Sequence, residues 1–156
     1  MTFNVTIDLD YSFKVKAGAA EVFDVLSDVP NSASFFPEVD KLVDLGENTY
    51  RWEMAKIGIG SISLQTVYAS KYTSDKDKGS VAWTPVKGEG NAQVSGHWKI
   101  SEHKDATHAL LSVKGDLEIP LPSLMRLLMA PVVESEFEKL TDQYIENLIR
   151  RFGGEA

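Results

Sequence analysis

The chain has 156 residues, 43% of them hydrophobic and 25% charged, a globular balance that argues against global disorder. Its formal net charge of -7 disfavours nonspecific attraction to nucleic acid or to an anionic membrane surface. With no cysteine, disulfides, thiolate metal sites and cysteine nucleophiles are excluded. Met1–Asp10 lacks the basic-then-apolar layout of a signal peptide, and no apolar run nears the roughly 20 residues that span a bilayer. A cytoplasmic protein folded as a single domain over residues 1–156 is therefore expected.

In Phe3, Val5, Ile7, Leu9, Tyr11, Phe13 and Val15 every odd position is apolar or aromatic, which predicts a half-buried strand over Phe3–Lys16. After Ala17-Gly18, the spacing of Ala19, Val22, Phe23 and Leu26 predicts a helix that breaks at Asp28-Val29-Pro30-Asn31-Ser32. Phe35-Phe36-Pro37 suggests a second short helix or a turn. Six strands are then read at Lys41–Leu45, Thr49–Ile57, Ser61–Thr73, Ser80–Val86, Ala92–His103 and Thr107–Ile119. Their separators, among them Gly58-Ile59-Gly60 and Lys87–Gly90, are short and rich in turn residues, so successive strands pair antiparallel. Val133, Phe137, Leu140, Tyr144 and Leu148 repeat at spacings of three and four, predicting a helix from Pro131 to Phe152.

Strand parity sorts the faces. Val94, Gly96, Trp98 and Ile100 oppose Gln93, Ser95, His97 and Lys99, and Ala109, Leu111 and Val113 oppose His108, Ser112 and Lys114. One face of the sheet is apolar and the other solvated. The inner sets Tyr50, Trp52, Met54 and Ile62, Leu64, Thr66, Tyr68 also carry hydroxyls, each of which needs a partner if buried. A wet or ligand-filled cavity of roughly 300 Å³ or more accommodates such groups better than a solid core.

The order strand, helix, short helix, six strands, long helix resembles the START-like (SRPBCC) superfamily, whose helix-grip fold is shared with the Bet v 1 allergens and polyketide cyclases. Glu21-Val22-Phe23-Asp24-Val25-Leu26-Ser27-Asp28 with Pro37-Glu38-Val39 is similar to the family's first helix and its run into the second strand. Gly88-Glu89-Gly90, Gly96-His97-Trp98 and the stretch from Val132-Val133-Glu134 to Leu148 resemble the middle of its sheet and its grip helix. Within the superfamily, Lys56-Ile57-Gly58 and the Gly-rich hairpin most resemble the G subunit of carbon monoxide dehydrogenase and its relatives. The glycine-rich loop of the plant allergens is missing, so ligands of that branch are not implied. The resemblance implies an α+β fold: a curved seven-stranded antiparallel sheet around a long C-terminal helix, with two short helices after the first strand.

Few residues suggest chemistry. His97 and His108 fall on the solvated face and His103 at a strand end, positions of surface residues rather than of a concave site. No histidine pair has metal-ligand spacing, so neither a metal nor another cofactor is expected. Glu134 falls in the apolar stripe of the closing helix, where desolvation would make it a general acid; as a first-turn residue after Pro131 it equally suits the helix dipole. Arg51 and Glu53 read as cross-strand surface charges. Trp83 joins Trp52 and Trp98 on inner faces, as core or as cavity wall.

Leu121–Ala130 is apolar all round with a single charge and two methionines. It is read either as buried or as a gate ahead of a Pro131 break, facing Phe35 and Phe36 across an opening, with transient membrane contact when ligand is collected. The leading expectation is binding or transport of a hydrophobic small molecule (a lipid, quinone or polyketide-like compound). Its contacts are Tyr50, Trp52, Met54, Thr66, Tyr68, Trp83, Trp98, Leu111, Met125 and Phe137. The alternatives are a cyclase or dehydratase in which Tyr68 or Glu134 moves protons, and an assembly factor for a protein partner.

Overall fold

The computed structural model describes residues 2–59 and 62–156, the side chains of residues 57–59 and 62 excepted. Strand β1 (Phe3–Val15) is followed by helices α1 (Ala19–Ser27) and α2 (Val29–Ala33). Then come β2 (Val39–Gly46), β3 (Thr49–Met54), β4 (Ile57–Ile59), β5 (Ile62–Leu64), β6 (Val67–Asp75), β7 (Ser80–Gly90), β8 (Ala92–His103) and β9 (Ala106–Ile119). A 3₁₀ turn at Ser123–Met125 leads into α3 (Arg126–Arg151). Seven strands form one antiparallel sheet in the order β1-β9-β8-β7-β6-β3-β2, while β4 and β5 pair as a separate hairpin. This is the helix-grip architecture, with α3 lying across the apolar face.

Alternation produces the sheet's two faces. Along β1, Phe3, Val5, Ile7, Phe13 and Val15 are buried and the intervening polar residues are exposed or half-buried. β1 pairs with β9 along its whole length, from Phe3 opposite Ile119 to Val15 opposite Thr107. One apolar cluster unites Val22 and Leu26 of α1 with Trp98, Leu111 and the C-terminal half of α3; another gathers Phe3, Val5, Val94 and Leu117 under Met129 and Val133. Space remains between these clusters.

Several elements depart from the sequence reading. Helix α1 breaks at Asp28 as expected, but the second short helix comes earlier than Phe35, because Asp28-Val29-Pro30-Asn31-Ser32 starts α2. Proline sits in that helix's first turn, where its missing N–H is no loss, and the Asp28 carboxylate accepts from Asn31 N at 3.3 Å. Phe35-Phe36-Pro37 forms the turn after it. The strand expected to reach Ile57 stops at Met54, and β7 continues through Lys87–Gly90, a stretch expected to separate strands. Gly90 has a φ of 80° and lies so close to the Val67 carbonyl that a Cβ would overlap it. Gly58 and Ile59, expected to separate strands, belong to β4; Gly60, Ser61 and the side chain of Ile62 lie outside the described residues, and the start of a strand at Ser61 and the inward Ile62 fall there.

The helix expected to begin at Pro131 begins one and a half turns earlier, at Arg126, and Pro131 lies inside it. The ring removes one hydrogen bond of the ladder, but this end of the helix is wet: Leu127 is 90% exposed, so water reaches the freed carbonyls. At the other end Gly153 and Gly154 take φ values of 86° and 96°, and Gly154 N donates to Ile149 O at 2.9 Å. The reversed tail returns to β1, where Ala17 N donates to Phe152 O at 3.0 Å.

Candidate ligand cavity

Between sheet and grip helix lies a cavity of about 90 Å³. Its sheet wall is built from Ile7 and Leu9 of β1, Trp52 and Met54 of β3, Tyr68 and Tyr72 of β6, Trp83 of β7, Val94 and Trp98 of β8, and Leu111, Val113 and Leu117 of β9. Leu26, Val29, Ser32 and Phe36 come from the α1–α2 region, and Phe137, Thr141 and Tyr144 from α3. The space is smaller than the sequence suggested because rings from both layers reach into it: Phe36 stands 5.1 Å from Tyr144 and 6.1 Å from Trp52, centroid to centroid.

A second, outer basin of about 440 Å³ opens on the protein surface. It is lined by Pro37 and Glu38, by Ala55, Lys56 and Thr66, and by Glu136, Lys139, Leu140 and Gln143 of α3. Met54 and Phe137 line both spaces.

Most hydroxyls around the interior are paired within the protein. Tyr72 accepts from Trp52 Nε1 at 3.0 Å; Tyr144 and Ser32 share a bond of 2.6 Å; Ser70 donates to Val94 O at 3.0 Å; Thr141 donates to Phe137 O at 2.7 Å. Tyr68 is the exception. Its ring stacks on Trp52 at 5.9 Å with an interplanar angle of 11°, and its hydroxyl has no hydrogen-bond partner among the described residues. Burial raises the Tyr68 and Tyr72 hydroxyls well above the ordinary phenol value, and burial pushes Tyr144 up to about 12 despite the Ser32 bond. All three phenols are neutral at physiological pH and serve as hydrogen-bond donors or acceptors, not as bases.

Of the contacts expected from sequence, Trp52, Met54, Tyr68, Trp83, Trp98, Leu111 and Phe137 meet around the interior. Three do not. Tyr50 shares a face with Trp52 but sits beyond the cavity's end, edge-on to Tyr72 at 6.0 Å. Thr66 follows the β5 turn and lines the outer basin. Met125 packs in the 3₁₀ turn beside Met129 and Val133, outside the interior. The expected gate is also revised. Phe36 is a wall of the interior, the Phe35 carbonyl is bound by Asn147 Nδ2 at 2.9 Å, and Leu124, Leu127 and Leu128 stand 92%, 90% and 71% exposed. Glu134 is exposed because the buried stripe at this end of α3 runs through Met129 and Val133, and the next position, about 100° further round, faces solvent; it has no role inside.

Ser32, Phe36, Tyr72, Thr141 and Tyr144 are the polar and aromatic residues of the wall that were not named as contacts. Tyr72 was accessible from parity, four residues beyond Tyr68 on the same strand, and Tyr144 from the helix stripe. Nothing local marks Ser32, whose bond partner is 112 residues away. The histidines are outside: His97 and His103 are exposed and His108 Nε2 meets Ser12 Oγ at 2.8 Å. Arg51 donates to Glu53 at 3.0 Å on the outer face, with Glu89 at 3.6 Å. Among the described residues, no cluster of histidine, aspartate and glutamate is arranged to hold a metal.

Residues 6–152 match the family described as polyketide cyclase / dehydrase and lipid transport. The chain belongs to that family. Among solved structures, a protein from Thermus thermophilus aligns with a TM-score of 0.67 at 15% identity, covering 93% of this chain and 96% of that one. The Zhui aromatase/cyclase from a Streptomyces species aligns with a TM-score of 0.68 at 13% identity, covering 95% and 94%. A START superfamily protein from Mycobacterium smegmatis aligns at 0.64 and 14%, covering 94% and 97%. At such identities the likeness is one of fold. No curated protein matches the chain. No described helix is long and apolar enough to cross a membrane.

Proposed function

We propose that the protein binds a hydrophobic small molecule carrying at least one hydrogen-bonding group, held between the sheet and the grip helix. The observation that carries this reading is the Tyr68 hydroxyl: it sits among aromatic walls with no partner among the described residues, while the neighbouring hydroxyls are satisfied. No fully buried side-chain oxygen or nitrogen lacks a partner among the described residues, so the Tyr68 oxygen keeps accessible surface and is open to a molecule that enters. The family's description, which includes lipid transport, agrees with such a role. No carboxylate, histidine or lysine lines the interior among the described residues, which favours binding over acid–base turnover. The finer likeness to the carbon monoxide dehydrogenase relatives, and the protein partner it implies, gains no supporting geometry and is the weaker reading.

Titration with the neutral fluorophore N-phenyl-1-naphthylamine tests the proposal, because the dye is apolar with one N–H. Saturable binding is expected, weakened about tenfold in Tyr68→Phe, the loss of one good hydrogen bond. A titration curve that Tyr68→Phe leaves unmoved would sink the assignment.

The exposed Leu124, Leu127 and Leu128 favour a second element of this reading, a transient contact with a membrane from which the ligand is collected. Cosedimentation with phosphatidylcholine vesicles should fall in Leu127→Gln/Leu128→Gln with melting temperature unchanged. Equal sedimentation of both proteins would remove this contact from the proposal.

A further inference from the structure

The interior alone is too small for a ligand of ordinary size: about 90 Å³ holds a fragment, whereas small-molecule sites span roughly 300–1,000 Å³. The outer basin has the missing volume, about 440 Å³, and Met54 and Phe137 border both spaces. Resting on the binding function proposed above, we infer that Met54 and Phe137 form a movable partition and that the ligand-bearing site is the interior and basin joined. The occupant is an uncharged amphiphile, its apolar body inside and a polar, hydrogen-bonding end in the basin.

The backbone of the partition is fixed, so opening it falls to the two side chains, of which Met54 is buried against Val29, Ala33 and Trp52. Met54 N donates to Thr66 O at 3.0 Å, and its carbonyl accepts from Gln65 Nε2 at 3.0 Å. The unbranched thioether beyond this anchor has several rotamers of similar energy. Phe137 is held by the helix, whose carbonyl there accepts the Thr141 hydroxyl at 2.7 Å. Its ring is half-buried, with the interior on one side and the basin on the other. The rim opposite α3 is a built turn: Glu38 adopts a φ of 62°, unusual for a side-chain-bearing residue, and its carbonyl accepts Ala55 N at 2.7 Å.

The basin's charges decide the ligand class. Lys56 and Lys139 are offset by Glu38 and Glu136, so the rim has no net sign, and the chain as a whole carries -7. An anionic head group would gain nothing from this balance and would face the overall negative field. Thr66 and Gln143 supply neutral donors and acceptors instead. With the Tyr68 hydroxyl in the interior wall, the joined site offers polar contacts in both of its parts.

The test uses two dyes that share an anilinonaphthalene body, neutral N-phenyl-1-naphthylamine and its sulfonate, 1-anilinonaphthalene-8-sulfonate, with benzene as an interior-sized control. Gln143→Trp, on the exposed helix face, and Ala55→Trp, on the opposite rim, each fill the basin; a second variant guards against one that fails to fold. Both should weaken the neutral dye about tenfold while benzene uptake, followed by NMR, is unchanged. Phe137→Ala should speed dye entry in stopped-flow mixing. The sulfonate should bind no tighter than the neutral dye, with little salt dependence. Neutral-dye binding that survives both tryptophans would overturn the joined site while leaving interior binding intact. Tighter sulfonate binding that is lost in Lys139→Gln would overturn the uncharged class. Failure of the wild type to bind any of the three would overturn the binding function and this extension with it.

Discussion

Tyr144→Phe should separate a dry wall from a wet one. The bond between Tyr144 and Ser32, at 2.6 Å, ties α3 to α2 across the cavity, and both residues are under 9% exposed. Removing the phenol oxygen forfeits a net hydrogen bond of about 1 kcal/mol and strands the small neutral Ser32 hydroxyl, a further penalty of about 1–2 kcal/mol. The single variant should therefore lose about 2–3 kcal/mol, Ser32→Ala a similar amount, and the double variant only about 1 kcal/mol, since no orphan remains. Urea unfolding of the four proteins closes the cycle. With a slope of about 2 kcal/mol per molar urea, each single variant should shift the midpoint by about 1 M, and the coupling should exceed about 1 kcal/mol. If the two substitutions add within about 0.5 kcal/mol, water in the cavity already satisfies either hydroxyl alone, and the claim that this bond holds α2 to the grip helix fails.

Other outcomes follow from the same contacts. Stability should fall on the alkaline side. Burial raises the Tyr144 phenol to about 12 from its ordinary 10.0, so above pH 10 the unfolded chain releases a proton that the folded protein keeps. The contribution is complete below pH 10 and declines by about 1.4 kcal/mol per pH unit until pH 12; urea titrations over this range should show a shallower decline in Tyr144→Phe. Gly96→Ala should destabilise by about 3 kcal/mol or more and weaken dye binding, because a Cβ there would overlap the Ser112 backbone oxygen of β9 and stand 2.5 Å from Trp83 Cζ2, displacing that ring; calorimetry and titration read both. Asn91→Ala should lower the melting temperature by several degrees, since its side chain accepts from Val67 N at 2.9 Å and donates to Gln65 O at 2.8 Å where β6 begins.

The fold was readable because its signals are periodic and local. The odd positions of β1 and the three-four spacing of α3 each report a face, and a face is what a sheet gripping a helix requires. The errors lie where the deciding physics is not periodic. Pro131 breaks a helix by rule but is tolerated here because the first turns of α3 are exposed to water. Glu134 sits next to the buried Val133 at the edge of the stripe, where the helix wheel alone does not decide between inside and solvent. Thr66 kept the parity expected of an inner residue, yet the chain leaves the sheet between Met54 and Val67, so its side chain meets the outer basin. Ser32 is invisible locally because its role rests on a single contact across the fold. The hydroxyls suggested a spacious wet interior; Tyr50 and Thr66 fall outside it, the interior hydroxyls other than Tyr68 pair within the protein among the described residues, and aromatic rings occupy the space.

That asymmetry makes Tyr68 the residue where stability and binding part company. Packing alone would be served as well by phenylalanine, since the stack on Trp52 and the contacts of the ring persist without the oxygen. Removing a hydroxyl that bonds to nothing in the protein should leave the empty protein unchanged or raise its stability by up to about 1 kcal/mol. In the presence of saturating ligand the sign reverses, because the wild type gains the linkage term from tighter binding, about 1.4 kcal/mol for a tenfold difference in affinity. Thermal melts of wild type and Tyr68→Phe, with and without N-phenyl-1-naphthylamine, should therefore cross. If Tyr68→Phe is less stable than wild type in the empty protein, the hydroxyl has a structural partner and its assignment to ligand is wrong.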